Sequence, residues 1–200
     1  MEILMKFIIV AIILTFSSSQ LFADDAIDYQ HERIEFASKE NYQPYVLQTM
    51  SYALLEKHFK LAANPDTTVM EINQPLQQLA DAYPLGIQVN YAIAGFLEYV
   101  ASLGDDVEGK KGMLETAQKK KDKAKAILQS ILSSGNGEST KTAFQVINIL
   151  EEDAVLEHLQ LDKLDQTVIE SGNTTFDEIT TKNKNGDTKL VYFDISIFHK

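Results

Sequence analysis

Glu151-Glu152-Asp153 sets three carboxylates in a row. Paired carboxylates serve as acid and base when their surroundings separate their pKa values. Asp194 stands with Tyr192 and Ser196 on the polar side of an alternating stretch, and a sheet that carries this stretch toward the first cluster would complete a site. The competing reading is structural. Acidic residues in the first turn of a helix complement its positive end, each by about 0.3–1 kcal/mol. Glu151, Glu152, Asp194 and Tyr192 are therefore candidate binding residues, and no residue is assigned a catalytic role.

Lys110 to Lys125 holds seven lysines against Glu115 and Asp122, a local charge of +5 that leaves −16 on the rest of a chain whose net charge is −11. Lys119, Lys120 and Lys121 could dock an acidic partner or an anionic surface; the plainer expectation is the solvated face of a helix. His31-Glu32-Arg33-Ile34-Glu35 opens like the zinc-binding H-E-x-x-H, but Glu35 occupies the place of the second imidazole. His58, His158 and His199 suggest no third ligand, so no metal is expected. Gly135 to Thr142 resembles a phosphate loop with Thr140 in place of its last glycine. It follows a helix and precedes a strand, the reverse of the order that aims amides at phosphate, and reads as a helix cap and turn. There is no G-x-S-x-G and no serine with an evident histidine partner. The absence of cysteine excludes a disulfide framework, a thiol nucleophile and a thiolate zinc site. No cofactor is expected.

The elements that must carry these residues begin with an address. Lys6, the apolar run Phe7–Leu14 and a small residue at Ala23 have the layout of a secretory signal peptide. The run is too short to cross a bilayer, which takes about 20 apolar residues. Cleavage near Ala23 predicts an exported chain, periplasmic or extracellular, with no transmembrane segment. Its acidity argues against sequence-independent nucleic-acid binding.

From residue 24 to 134 apolar residues recur at helical spacing. The spacing predicts helices over 24–39, over 44–63 (facing inward through Val46, Met50, Ala53, Leu54, Phe59 and Leu61), over a third segment stopping at Pro84 and capped by Asp66 or Thr67, and over 85–103. A fifth frays at Gly109 and Gly112 and ends near Ser134. Short links favour antiparallel hairpins of tetratricopeptide-like grammar, without a repeat at fixed spacing. From 135 to 200 the pattern turns to α+β. Ala143–Leu150 reads as a buried strand, Glu151–Leu161 as a short helix, and Gln166–Glu170, Phe176–Thr181 and Lys189–Phe198 as strands. Asn185-Gly186 marks a hairpin. The fold expected is α+β, helical hairpins followed by a small antiparallel sheet with one short helix, the two regions packed as one unit.

Ile131–Gly137, Thr142–Ile147, Glu151-Glu152 and Tyr192-Phe193-Asp194-Ile195-Ser196 together resemble a family of exported bacterial proteins classed as a domain of unknown function. Its pattern is a Ser-Gly-Asp-Gly loop, a Glu-Glu-Tyr segment and a terminal Tyr-Phe-Asp-Ile strand. Asn136 replaces the loop aspartate and Asp153 the tyrosine. The resemblance implies an exported helix-then-sheet protein and assigns no activity. The leading expectation is a non-enzymatic module that binds a protein or small ligand. The alternative is a hydrolase or transferase using Glu151, Glu152 and Asp194 in a cleft between the helical and sheet halves.

Overall fold

The computed structural model describes residues 27–104 and 106–199, so the expected signal peptide over residues 1–23 lies outside them. In chain order the elements are α1 (Tyr29–Ala37), α2 (Pro44–Ala62), α3 (Val69–Ala82), α4 (Ile87–Leu103), α5 (Val107–Leu132), β1 (Phe144–Gln145), α6 (Ile149–His158), β2 (Leu161–Ser171), β3 (Thr174–Asn183) and β4 (Thr188–Asp194). The α+β class follows. The described residues form two compact units, one of Ile27 with residues 50–104 and 106–124 and one of residues 28–49 with 125–199. None of the described helices is long and apolar enough to cross a membrane.

In the first unit α3 packs on α4. Thr68, one residue beyond the expected caps, starts α3: its hydroxyl accepts from Glu71 N at 3.3 Å and Glu71 Oε2 accepts from Thr68 N at 2.9 Å. This reciprocal box satisfies two donors that a helix start leaves unpaired. Leu76, Leu79, Ile93, Ala94 and Leu97 are buried as their spacing requires. The face of α2 departs from expectation. Ser51 and His58 are buried while Phe59 is 61% exposed. Apolar residues surround α2 on every side, so periodicity could not choose a face. His58 settles it in this unit: its Nδ1 lies 3.0 Å from Ile72 O and its ring meets Phe96 edge-on at 6.0 Å. The fraying expected at Gly109 and Gly112 does not occur, since α5 runs through both.

The second unit is built on a sheet of order β1-β4-β3-β2. It is mixed: β1 runs parallel to β4, with Phe144 opposite Phe193, and the other pairs are antiparallel. A wholly antiparallel sheet was expected. The stretch 143–150 yields only this two-residue strand, because the Asn148 side chain accepts from Glu151 N at 3.2 Å and starts α6 at Ile149. Val191, Phe193 and Ile195 of the last strand are buried as their alternation predicts. Ile179 joins them across the sheet, and the Phe144 and Phe193 rings lie 5.8 Å apart. Ile197, expected on the same face, follows the end of β4 in a turn and is half-buried. The β3–β4 hairpin forms at Asn185-Gly186. Gly186 alone takes a left-handed conformation (φ 91°), and Asn183 Oδ1 accepts from Asn185 N and Asp187 N at 2.9 and 3.0 Å. Three residues, Lys184 to Gly186, make the turn, with glycine at the position that requires positive φ.

Candidate functional site

Within the second unit, Arg33 points from the middle of α1 into the interior. Its Nε donates to Glu151 Oε1 at 2.7 Å and its Nη2 to Glu151 Oε2 at 2.6 Å, with side-chain exposures of 0% and 2%. Nη2 also donates to Gln145 O at 2.8 Å and Nη1 to Ser130 Oγ at 3.3 Å. Glu151 Oε2 accepts in addition from Ile147 N at 2.9 Å. Tyr42 closes the cluster: its hydroxyl donates to Ile147 O at 2.6 Å and accepts from Asn148 Nδ2 at 3.3 Å. Burial raises the Tyr42 phenol above the ordinary tyrosine range, so it stays a donor. A bidentate guanidinium with its other donors engaged is the geometry in which a buried ion pair is tolerated. Glu151 thereby holds α1 to the β1–α6 connection.

Glu152, the next residue, is fully buried on the opposite side of that task. It meets Asp177 of β3, itself 2% exposed. Burial, then the neighbouring Asp177 carboxylate, pushes the Glu152 carboxyl up to about 10. Apart from each other, no described donor reaches Glu152 Oε1, Glu152 Oε2 or Asp177 Oδ1. A single proton held between the two carboxyls pairs one oxygen of each and leaves the second Glu152 oxygen without a described donor; two buried like charges cannot both ionise. The chain of bonds continues outward, with Gln166 Nε2 donating to Asp177 Oδ2 and Lys163 Nζ to Gln166 Oε1.

Asp194 faces the other side of the sheet from Asp177. Pairing sets Asp177 opposite Phe193, and Asp194 is the next residue along. Its Oδ1 accepts from Ser196 N at 3.0 Å. Tyr192 shares that outer face and bonds to Glu178, directly across on β3; this bond raises its phenol pKa. Glu151 and Glu152 are thus neighbours in sequence with different partners, and Asp194 belongs to neither cluster.

In the first unit Lys119 is exposed, whereas Lys120 and Lys121 are half-buried. Burial depresses the Lys120 pKa. Lys121 Nζ lies 2.5 Å from Glu98 Oε1 on α4, the two side chains 32% and 44% exposed. The lysine run is therefore not one uniformly solvated face. Lys121→Glu should lower stability by about 1 kcal/mol, the upper range for a pair so open to solvent, and Lys119→Glu should leave the urea midpoint unchanged; equal effects would refute the pairing.

His31 and Glu35 are exposed, with His31 Nε2 at 3.8 Å from Glu35 Oε2. No group of three or more metal-binding side chains occurs among the described residues.

A groove of about 400 Å³ runs beside β4 in the second unit. Asn136, Gly137 and Glu138 form one wall, Leu159 another, and Lys189 to Tyr192 the floor. Gly137 has φ 70°, and a Cβ there would meet the Phe144 ring at 2.5 Å, so the loop can lie this close to the sheet only with glycine. Gly137 O accepts from Tyr192 N at 2.9 Å, tying the loop to the strand. The loop and the terminal strand that carry the family resemblance thus meet at one place. Exposed Glu138 and Lys189 give it a rim of both charges, while Leu159 and Leu190 supply apolar surface.

Sequence reasoning missed Arg33 and Asp177. Arg33 carries a signal in composition: it is the single arginine of a chain with 17 lysines. Arginine is the cation suited to a buried bidentate pair. Asp177 has a weaker one, a carboxylate at an inward position of an alternating strand.

Set against known proteins, residues 21–200 match the model of a family described as a domain of unknown function. No curated protein and no solved structure matches.

Proposed function

The chain belongs to the DUF4919 family, whose model spans the helices and the sheet alike, and we infer that its role lies in a surface this fold presents. We propose that it is an exported, non-enzymatic binding protein and that its ligand lies in the groove beside β4. The observation that carries this reading is the groove itself, with apolar surface from Leu159 and Leu190, polar groups at Asn136, Glu138, Lys189 and Tyr192, and a volume in the range of ligand sites. Export is inferred from the layout of residues 1–23.

The enzyme alternative has less support. Glu151 is neutralised by Arg33, Glu152 is fully buried, and Asp194 faces away from Asp177. A carboxyl that acts on a substrate must come within hydrogen-bond reach of it.

The test compares the tagged chain with the charge-swapped pair Glu138→Lys and Lys189→Glu, both exposed positions, in capture from an envelope extract. A component that is retained by the wild type and lost by the folded swap variant supports the groove. Identical captured components, or none from either, would overturn it.

A further inference from the structure

Resting on that reading, we infer that the groove takes an extended peptide segment of a partner protein, which adds a strand to the open edge of β4. Antiparallel partners alternate between pairs that exchange backbone hydrogen bonds and pairs that do not. Tyr192 N turns away from β3 to donate to Gly137 O, so the Glu178–Tyr192 pair is of the second kind. Leu190 opposite Thr180, and Thr188 opposite Lys182, stand two and four residues back and share that phase. Their N–H and C=O groups therefore point away from β3 as well.

β1 covers β4 only at Phe193 and Asp194, and the 136–138 loop takes only Tyr192 N. The outward backbone groups of Leu190 have no backbone partner among the described residues, and they open into the groove. Free strand edges of this kind are templates for another strand. The far edge of the sheet is guarded differently. There β2 carries a register break between Lys163 and Asp165 and charges at Asp162, Lys163, Asp165 and Glu170, the usual devices against strand addition. The β4 opening has no register break, and beside the exposed Lys189 it presents an apolar side chain, Leu190, 43% accessible. The walls at Glu138 and Leu159 enclose a space fit for a segment of chain, not the face of a folded copy. A bond of the required type already exists there, between Gly137 O and the same edge.

The probe is a phage-displayed library of random heptapeptides panned on the purified chain. Selected peptides are then made with and without N-methyl groups at alternate amides. Binding should fall at least tenfold on N-methylation in one phase and not in the other. It should fall likewise with Leu190→Pro, which removes an N–H the sheet does not use, and survive Leu190→Thr, which keeps the backbone donor. The N-methyl series needs no protein variant, so it decides the matter even if Leu190→Pro fails to fold. Binders weakened by the Glu138/Lys189 charge swap but indifferent to N-methylation would overturn strand addition and leave the groove reading intact. Binders indifferent to both would remove both. A library that yields no binder, or self-association abolished by Leu190→Pro, would also overturn the inference.

Discussion

Arg33→Met should destabilise the second unit by about 3–5 kcal/mol, the cost of leaving one member of a buried ion pair uncompensated. The loss falls on Glu151, whose carboxylate would keep Ile147 N as a donor at 2.9 Å, with 2% side-chain exposure to recruit solvent in place of the guanidinium. Gln145 O and Ser130 Oγ lose their guanidinium donor at the same time. A urea titration monitored by circular dichroism measures the change, and a shift below 1 kcal/mol would mean that the pair contributes nothing. The double variant Arg33→Met, Glu151→Leu should recover part of the loss. Buried ion pairs replaced together by apolar residues of similar volume are often neutral; the recovery is incomplete because Ile147 N stays unpaired.

The second large effect is a dependence on pH. Glu152 has an ordinary value of 4.5 and is held near 10 in the folded chain, so the folded state keeps a proton that the unfolded state releases between those limits. Stability from this group is therefore fully present below about pH 4.5 and is lost as pH rises toward 10. Each pH unit inside the window removes about 1.4 kcal/mol. Glu152→Gln keeps a donor for Asp177 and has no proton to lose. The stability difference between wild type and this variant should shift by about 4 kcal/mol in the variant's favour from pH 5 to pH 8. Urea midpoints across that range measure it, and parallel pH profiles for the two proteins would refute the shared proton. Asp177→Asn removes one cause of the raised value, so the loss should end at a lower pH and be smaller in total.

Both effects hinge on residues whose neighbours in sequence say little about them. Glu151 and Glu152 look alike on the page, two acids in the first turn of a predicted helix. The helix turns about 100° between them, so one meets Arg33 and the other Asp177. The electrostatic benefit to the helix start, expected for both, is secondary beside a bidentate ion pair in one case and a retained proton in the other. The groove illustrates the same limit. Gly137 and Tyr192 were each noted as parts of separate motifs, 55 positions apart, and only the pairing of the loop with β4 makes them one site.

Local stereochemistry explains what could be read without coordinates. The helix-then-sheet order, the stop before Pro84, the turn at Asn185-Gly186 and the inward residues of β4 follow from side-chain period and from the few residues that tolerate a turn. These are decided within a few residues of chain. The folded chain alone decided which side of α2 is buried, that β1 lies parallel to β4, and that Arg33 finds Glu151 at a separation of 118 positions. Each is a choice between alternatives of similar local energy, settled by a partner that propensity cannot see: a carbonyl for His58, an open strand edge for β1, a buried carboxylate for the lone arginine.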